Sequence, residues 1–290
     1  MKSKLLILAT IFAIASSCAS NKKDYLITIH TAFGDMKVIL YDETPLHKAN
    51  FIELAESGQY DSTIWLRIIK GFMIQGGGFD IKNGSQSDKT IPAEFVEGMM
   101  HHKGALAAAR QGDNVNPDKA SSWCQFYIVQ GKKYSLEELV EYEDTMNENN
   151  KRKLFQTTIM KPENADLLSA GRECQREWQR TSDPKEKIKY QMQLDSITDQ
   201  VMQIVDKDYS EVQLTEAQKE VYTSQGGSPH LDNAYTVFGR VVEGLEVIDQ
   251  LAVVQTDRDK PTTDFYMTME VERIPKKQIT DLYAYEYSEK

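Results

Sequence analysis

The sequence predicts a mainly β protein, a barrel or sandwich of short strands with a helical segment set into one connection. Three observations carry this. Period-two alternation of apolar and polar residues recurs near both ends, at 25–40 and 265–271. A nearly continuous apolar run, Ile68, Ile69, Phe72, Met73 and Ile74, reads as buried strand. Residues 131–225, by contrast, are charged and helical in pattern.

The elements follow in order. Tyr25, Ile27 and Ile29 alternate with Leu26, Thr28 and His30. Phe33-Gly34-Asp35 turns the chain, and Met36, Val38 and Leu40 alternate again, giving a β-hairpin. Thr44-Pro45 supplies an N-cap and a first-position proline for a helix over 45–57, with Phe51, Leu54 and Ala55 on one face and Gly58 as the stop. The apolar strand pair ends in Gly76-Gly77-Gly78, expected to be flexible, and a polar loop follows. Residues 104–109 read as a strand of small side chains over which another chain can lie. Residues 125–129 read as a buried strand.

In the helical segment, Leu167, Gly171, Cys174 and Trp178 form one stripe, and Tyr190, Leu194, Ile197, Val201 and Ile204 form another. Asp183-Pro184 with Glu186 joins them as a cap, so an antiparallel helical hairpin is expected. A short helix follows Thr215, with Gln218 as its capping-box partner. Strand pattern resumes at 235–241, then a short helix carries Val247, Ile248 and Leu251, and the last strand alternates Phe265, Met267, Met269 and Val271. The charged residues 275–290 are expected to be a frayed tail.

Composition narrows the function. The formal charge of -10 over 290 residues argues against a nucleic-acid partner, since phosphate binding needs clustered Lys and Arg. Hydrophobic content of 40% and charged content of 27% are those of an ordinary globular protein. No Cys or His spacing fits a metal site, and the neighbours His101-His102 would point apart on a strand, so no metal or cofactor is expected. Of the three cysteines, Cys124 and Cys174 are expected to be free thiols, with pairing left open.

The N-terminus has the parts of a secretory signal peptide: Lys2 and Lys4, the apolar run 5–14, then Ala15-Ser16-Ser17 before Cys18. A cysteine in that place resembles the bacterial lipoprotein lipobox. Residues 1–17 are then the signal, Cys18 the acylated first residue and 18–24 a tether, which implies a membrane-anchored protein of the cell envelope, on the periplasmic side. Cleavage nearby with Cys18 incidental is the alternative.

One residue in the apolar run demands a partner. Arg67 precedes Gly71-Phe72-Met73 and Gln75-Gly76-Gly77, and arginine is almost never buried unpaired. Together with Gln125-Phe126-Tyr127, Leu231-Asp232 and Val237-Phe238-Gly239, this set resembles the cyclophilin-type peptidyl-prolyl isomerases, over roughly 24–130 and 226–274. Taken singly, Phe72, Met73 and Leu231 read as core. Their ordered recurrence with the other blocks is what carries the resemblance.

The resemblance sharpens the fold to an eight-stranded antiparallel barrel capped by two helices, formed by 25–130 and 226–274, with 131–225 as the inserted helical hairpin. It also implies roles. Arg67, Phe72 and Gln75 would be catalytic, and Met73, Ala109, Arg110, Gln125, Tyr127, Leu231 and Tyr235 would bind substrate. Within that set Phe72, Met73, Tyr127 and Leu231 form a proline pocket over a Gln75–Gln125 floor, and Ala109 and its neighbours form the edge that pairs with substrate backbone. Proline-containing polypeptides would be the clients.

The departures are informative. Trp65-Leu66 stand where Phe-His is common, and Arg110 replaces an asparagine, which would add a second cation to the groove. Tyr127 replaces a phenylalanine and would shallow or polarise the pocket, and His230 replaces a tryptophan, which argues against tight cyclosporin binding.

The chemistry needs little equipment. Peptide-bond rotation meets a barrier of roughly 18–20 kcal/mol, and uncatalysed X–Pro exchange takes about 10–100 s. A catalyst has only to hold the chain and favour the twisted amide, and the always-charged, planar guanidinium of Arg67 suits that task. A proline-segment-binding holdase, with the helical insertion as client arm and little turnover, is the second reading.

Overall fold

The computed structural model describes residues 22–78 and 89–288, so Cys18 and the signal segment lie outside the described residues. The strands are β1 (Lys23–Thr31), β2 (Gly34–Leu40), β3 (Thr63–Ile64), β4 (Arg67–Ile69), β5 (Met73–Gly77), β6 (Thr90–Ile91), β7 (Ala105–Ala108), β8 (Ser121–Ser122), β9 (Gln125–Val129), β10 (Val237–Glu243), β11 (Thr256–Asp257), β12 (Lys260–Pro261) and β13 (Tyr266–Pro275). The helices are α1 (Pro45–Glu56), α2 (Leu136–Ile159), α3 (Ala165–Arg180), α4 (Pro184–Asp208), α5 (Glu216–Ser224), α6 (Leu245–Leu251) and α7 (Lys276–Tyr283). Two compact units result, one of residues up to Lys133 together with Glu220 onward, the other Tyr134–Lys219.

The first unit is a curled antiparallel sheet in the order β3-β13-β1-β2-β10-β7-β9-β5-β4. Its two outermost strands are consecutive in sequence, separated only by Trp65-Leu66. Trp65 N–H donates to Phe265 O at 3.0 Å, and Leu66 N–H donates to Gln75 O at 2.8 Å. One bent segment therefore bonds to both sides of the sheet and closes it. Counted as one bent strand, β3 and β4 turn the nine strands into the expected eight.

Period-two alternation sorts side chains onto two faces. Ile68, Ile74, Ile128 and Leu106 form one continuous rung and belong to the interior cluster with Ile27, Ile29, Phe51 and Phe126. Helices α1 and α6 fill that interior with Phe51, Leu54 and Ala55 and with Val247, Ile248 and Leu251. Helix α1 is not capped by Thr44, whose side chain makes no capping bond. The Glu94 carboxylate does this instead, accepting from Leu46 N–H and His47 N–H, each at 3.0 Å.

The second unit corrects the expected hairpin. Helices α3 and α4 do pack antiparallel: Gly171 faces Ile197, Cys174 Sγ donates to Gln193 Oε1 at 3.5 Å, and Lys187 Nζ lies 4.9 Å from the Trp178 ring centre. A third helix, α2, joins them and packs on α4. It carries no clear apolar stripe, but it has a full capping box between Ser135 and Glu138. At the α3–α4 joint, Asp183 caps as expected, whereas Glu186 accepts from Thr181 Oγ1 at 2.6 Å rather than closing a box. Cys124 and Cys174 are not joined in a disulfide.

The described C-terminal residues, 276–288, are not a frayed tail. Helix α7 buries Ile279 completely, and Tyr285 stacks on Tyr41 with ring centres 6.1 Å apart. Their apolar faces cover Leu26 and Ile39 on the outer side of the sheet. The glycines after Gln75 are not flexible either. Gly77 adopts φ +80° inside β5, and a Cβ there would lie 2.1 Å from Cys124 O, so only glycine fits.

Candidate active site

The rung next to the interior one runs across four neighbouring strands: Arg67 opposite Gln75, Gln75 opposite Tyr127, Tyr127 opposite Ala107. Alternation puts these side chains on the face opposite the interior core. Met73, Val129 and Ala105 share that face, in a second apolar cluster with Leu231 and Val237. A recess of about 160 Å³ opens there, lined by Arg67, Phe72, Met73, Gln75, Ala109, Arg110, Gln125, Tyr127, Leu231 and Tyr235. All ten residues named from sequence thus meet at one cavity. Its volume matches that of a dry apolar cavity that accepts a benzene-sized ring, about 150 Å³.

Hydrogen bonds hold each wall in place. Phe72 sits in a turn whose Gly71 N–H donates to Gln130 Oε1 at 2.6 Å, and Phe72 O accepts from Gln130 N–H and Gly131 N–H, both at 2.9 Å. Gln75 Nε2 donates to Gln125 Oε1 at 2.9 Å, which fixes the polar floor. Leu231 ends a single 3-10 turn, and Tyr235 N–H reaches back to Leu231 O.

A buried polar chain anchors that turn and the Tyr127 wall together. Tyr222 OH donates to Asp232 Oδ2 at 2.6 Å, and Asp232 Oδ1 accepts from His101 N–H and pairs with His101 Nδ1, both at 2.9 Å. His101 Nε2 then meets Tyr127 OH at 3.0 Å. The Tyr127 hydroxyl is therefore engaged behind the recess and does not polarise it, which removes one of the two effects expected from sequence. Burial pushes the Tyr127 phenol well above its ordinary pKa, so it stays neutral. Sequence reading passed over His101 because its partners lie 26 and 131 positions away.

Arg110 is a second correction. Its side chain is only 4% exposed, with Nη1 paired to Asp113 at 2.7 Å and Nε donating to Ala234 O at 2.8 Å. The guanidinium lies 4.4 Å over the Tyr235 ring. It shapes the rim and offers no free second cation. Ala109 is not a free edge: its N–H donates to Gln125 O and its O accepts from Ser122 N–H. The next residue, Arg110, has no backbone partner among the described residues.

Trp65, in the family's phenylalanine position, faces inward and packs edge-on against Phe126 at 5.9 Å. His230 packs on Phe72, ring centres 5.4 Å apart, outside the recess lining. Its burial lowers its pKa from the ordinary 6.5, as does the neighbouring His101.

Arg67 is half exposed and does have a partner. Nε and Nη2 both donate to Asp259 Oδ2, at 3.3 and 3.1 Å. Asp259 lies 192 positions downstream at the tip of the β11–β12 hairpin. Among the described residues, no group of His, Cys, Asp and Glu is arranged to hold a metal ion.

With this geometry in place, comparison decides the family. The family model for cyclophilin type peptidyl-prolyl cis-trans isomerase/CLD matches residues 26–189 and 207–271. The chain belongs to the cyclophilin-type peptidyl-prolyl cis-trans isomerase family. The cyclophilin relatives span kingdoms. Peptidyl-prolyl cis-trans isomerase-like 3 of Dictyostelium discoideum is 39% identical over 115 residues, covering 38% of this chain and 68% of that protein. Peptidyl-prolyl cis-trans isomerase B of Escherichia coli is 38% identical over 105 residues, 36% of this chain and 61% of its own length.

A Streptococcus pyogenes protein whose name pairs a phosphatase with a peptidyl-prolyl cis-trans isomerase is 29% identical over 255 residues, covering 84% of this chain but only 38% of that protein. The chain thus spans between 38% and 68% of these relatives' lengths. A crystal structure of a Cryptosporidium parvum cyclophilin type peptidyl-prolyl cis-trans isomerase is 19% identical, with a TM-score of 0.47 over 87% of this chain and 98% of that one.

Proposed function

We propose that this chain is a peptidyl-prolyl cis-trans isomerase in which Arg67 stabilises the twisted X–Pro amide above an apolar recess for the proline ring. One observation carries the reading: Arg67, Gln75 and Tyr127 share a rung on the face where Phe72, Met73 and Leu231 enclose the cavity. The proline ring enters among Phe72, Met73, Tyr127 and Leu231 and loses water there. The substrate backbone pairs with the N–H and C=O of Arg110, which have no backbone partner among the described residues and lie within the edge expected around Ala109. The Arg67 guanidinium donates to the carbonyl side or the pyramidal nitrogen of the amide, which favours the state that has lost resonance.

The test is turnover on a proline peptide by the purified chain from Ala19 onward. Arg67→Ala is expected to lose most of kcat/KM with the circular-dichroism spectrum unchanged, and undiminished turnover refutes the role. Clients in the cell envelope and an acyl anchor on Cys18 belong to the same proposal, supported by the N-terminal sequence alone. Incorporation of labelled palmitate that disappears in Cys18→Ala is the expected result. Equal labelling of that variant contradicts it.

The holdase reading keeps one specific support: Ile188 and Met192 on α4 are 62% and 66% exposed, one helical turn apart. If that face holds clients, changing both to Glu abolishes suppression of client aggregation and leaves peptide turnover intact. Undiminished suppression assigns those residues no client role.

A further inference from the structure

The Arg67 side chain is 46% exposed and leaves the sheet at β4, beside the β11–β12 hairpin. A half-solvated arginine on a flexible stem samples many rotamers, and only some place its fork over the recess. The hairpin limits that freedom. Arg258 and Asp259 both have positive φ, 47° and 69°, the two-residue turn that matches strand twist. That turn docks on β4 through its backbone, Ile68 N–H donating to Asp259 O at 2.7 Å. The same residue's carboxylate takes Nε and Nη2 of Arg67. Nη1 of Arg67 has no partner among the described residues.

We propose that Asp259 is a positioning residue for Arg67: it grips one edge of the guanidinium from a rigid hairpin tip and leaves the other edge for the substrate amide. This rests on the catalytic reading of Arg67. A carboxylate at this distance also shields the cation, so the arrangement trades some charge for a fixed direction. Direction matters more for a contact that forms only in the twisted state. Because Asp259 is 45% exposed, ions in solution screen the pair, and its grip weakens with salt.

The experiment uses the chain from Ala19 onward, a neutral X–Pro peptide, and the variants Asp259→Asn, Asp259→Gly, Arg67→Ala and the Arg67→Ala/Asp259→Gly double. Asparagine and glycine both accept the positive φ at this position, so the hairpin survives in at least one of them. Asp259→Gly is expected to lower kcat/KM by about three- to tenfold, mainly in kcat. Asp259→Asn, which keeps an acceptor oxygen, loses less, and the double variant is no slower than Arg67→Ala. In the unmodified protein kcat/KM falls toward the Asp259→Gly level as salt rises to about 1 M, whereas Asp259→Gly is flat. The Arg67 Nε–H proton–nitrogen signal, sharp in the unmodified protein, broadens in Asp259→Gly, which a merely structural role does not produce. If both Asp259 variants turn over as fast as or faster than the unmodified protein while Arg67→Ala is inactive, the positioning role is wrong and the catalytic one stands. If Arg67→Ala keeps full turnover, the catalytic reading falls, and the positioning role with it.

Discussion

Individual residues show how far chemistry could be read without coordinates. Arg67 announced itself, since an arginine within an apolar run must be paired, but its partner came from a hairpin tip 192 positions away that no local pattern reveals. Tyr127 was legible as a pocket wall and misread in polarity, because His101 Nε2 turns its hydroxyl away from the recess. Tyr127→Phe is therefore expected to leave kcat/KM within about twofold and to cost about 1–2 kcal/mol of stability, since it strands a buried ring nitrogen. Denaturant unfolding with a parallel turnover assay checks both halves.

Acid stability also belongs to this scale. Burial holds His47, His102 and His230 below their ordinary pKa of 6.5, partly opposed at His47 by the Glu94 carboxylate. At His102 the hydrogen bond to Lys103 O opposes this, as does Asp232, while Arg240 and His101 add to the lowering. A lowered folded-state pKa means that the unfolded chain binds more protons below about pH 6.5, so stability is present above that pH and is lost as the pH falls. The melting temperature should drop from about pH 7.5 to about pH 5.5, and His102→Gln should flatten the drop. An unchanged slope in that variant removes His102 from the account.

Secondary elements were legible where their pattern was clean. The strands alternate with period two because one face meets the interior and the other the outer cluster that includes the recess. Helices α1 and α3 were legible from their apolar faces, and α4 from stripe and cap together. Helix α2 was missed because its stripe is weak, although the Ser135–Glu138 capping box was there to be read. Glycines were read as slack where they are in fact close contacts. Gly77→Ala is expected to destabilise by about 2 kcal/mol or more, from the φ of +80° and the clash with Cys124 O. Equal melting temperatures would contradict that geometry. The cap on α1 could not be read locally, since Glu94 arrives from 47 and 48 residues away.

For the whole molecule, closure of the barrel depends on two residues, Trp65 and Leu66, bonding to opposite edges of the sheet. The packing of the C-terminal segment is masked in the sequence by its charge. Residues 276–288 look solvated, yet Tyr283, Tyr285 and Tyr287 recur at every second position, and all three pack on the outer apolar cluster with Ile279. Ile279→Ala is accordingly expected to cost about 2–5 kcal/mol, read from the denaturant midpoint, whereas a frayed tail would lose nothing.

The central claim is that a cation and an apolar recess on one sheet face act together on an X–Pro amide. The most direct measurement is exchange between the cis and trans signals of a proline peptide held at saturating concentration, compared for the unmodified chain and Arg67→Ala. The account predicts that the variant still shifts the resonances of Tyr127 and Leu231 on adding peptide but no longer exchanges the two isomers. Equal exchange in both, with the peptide bound, would contradict it.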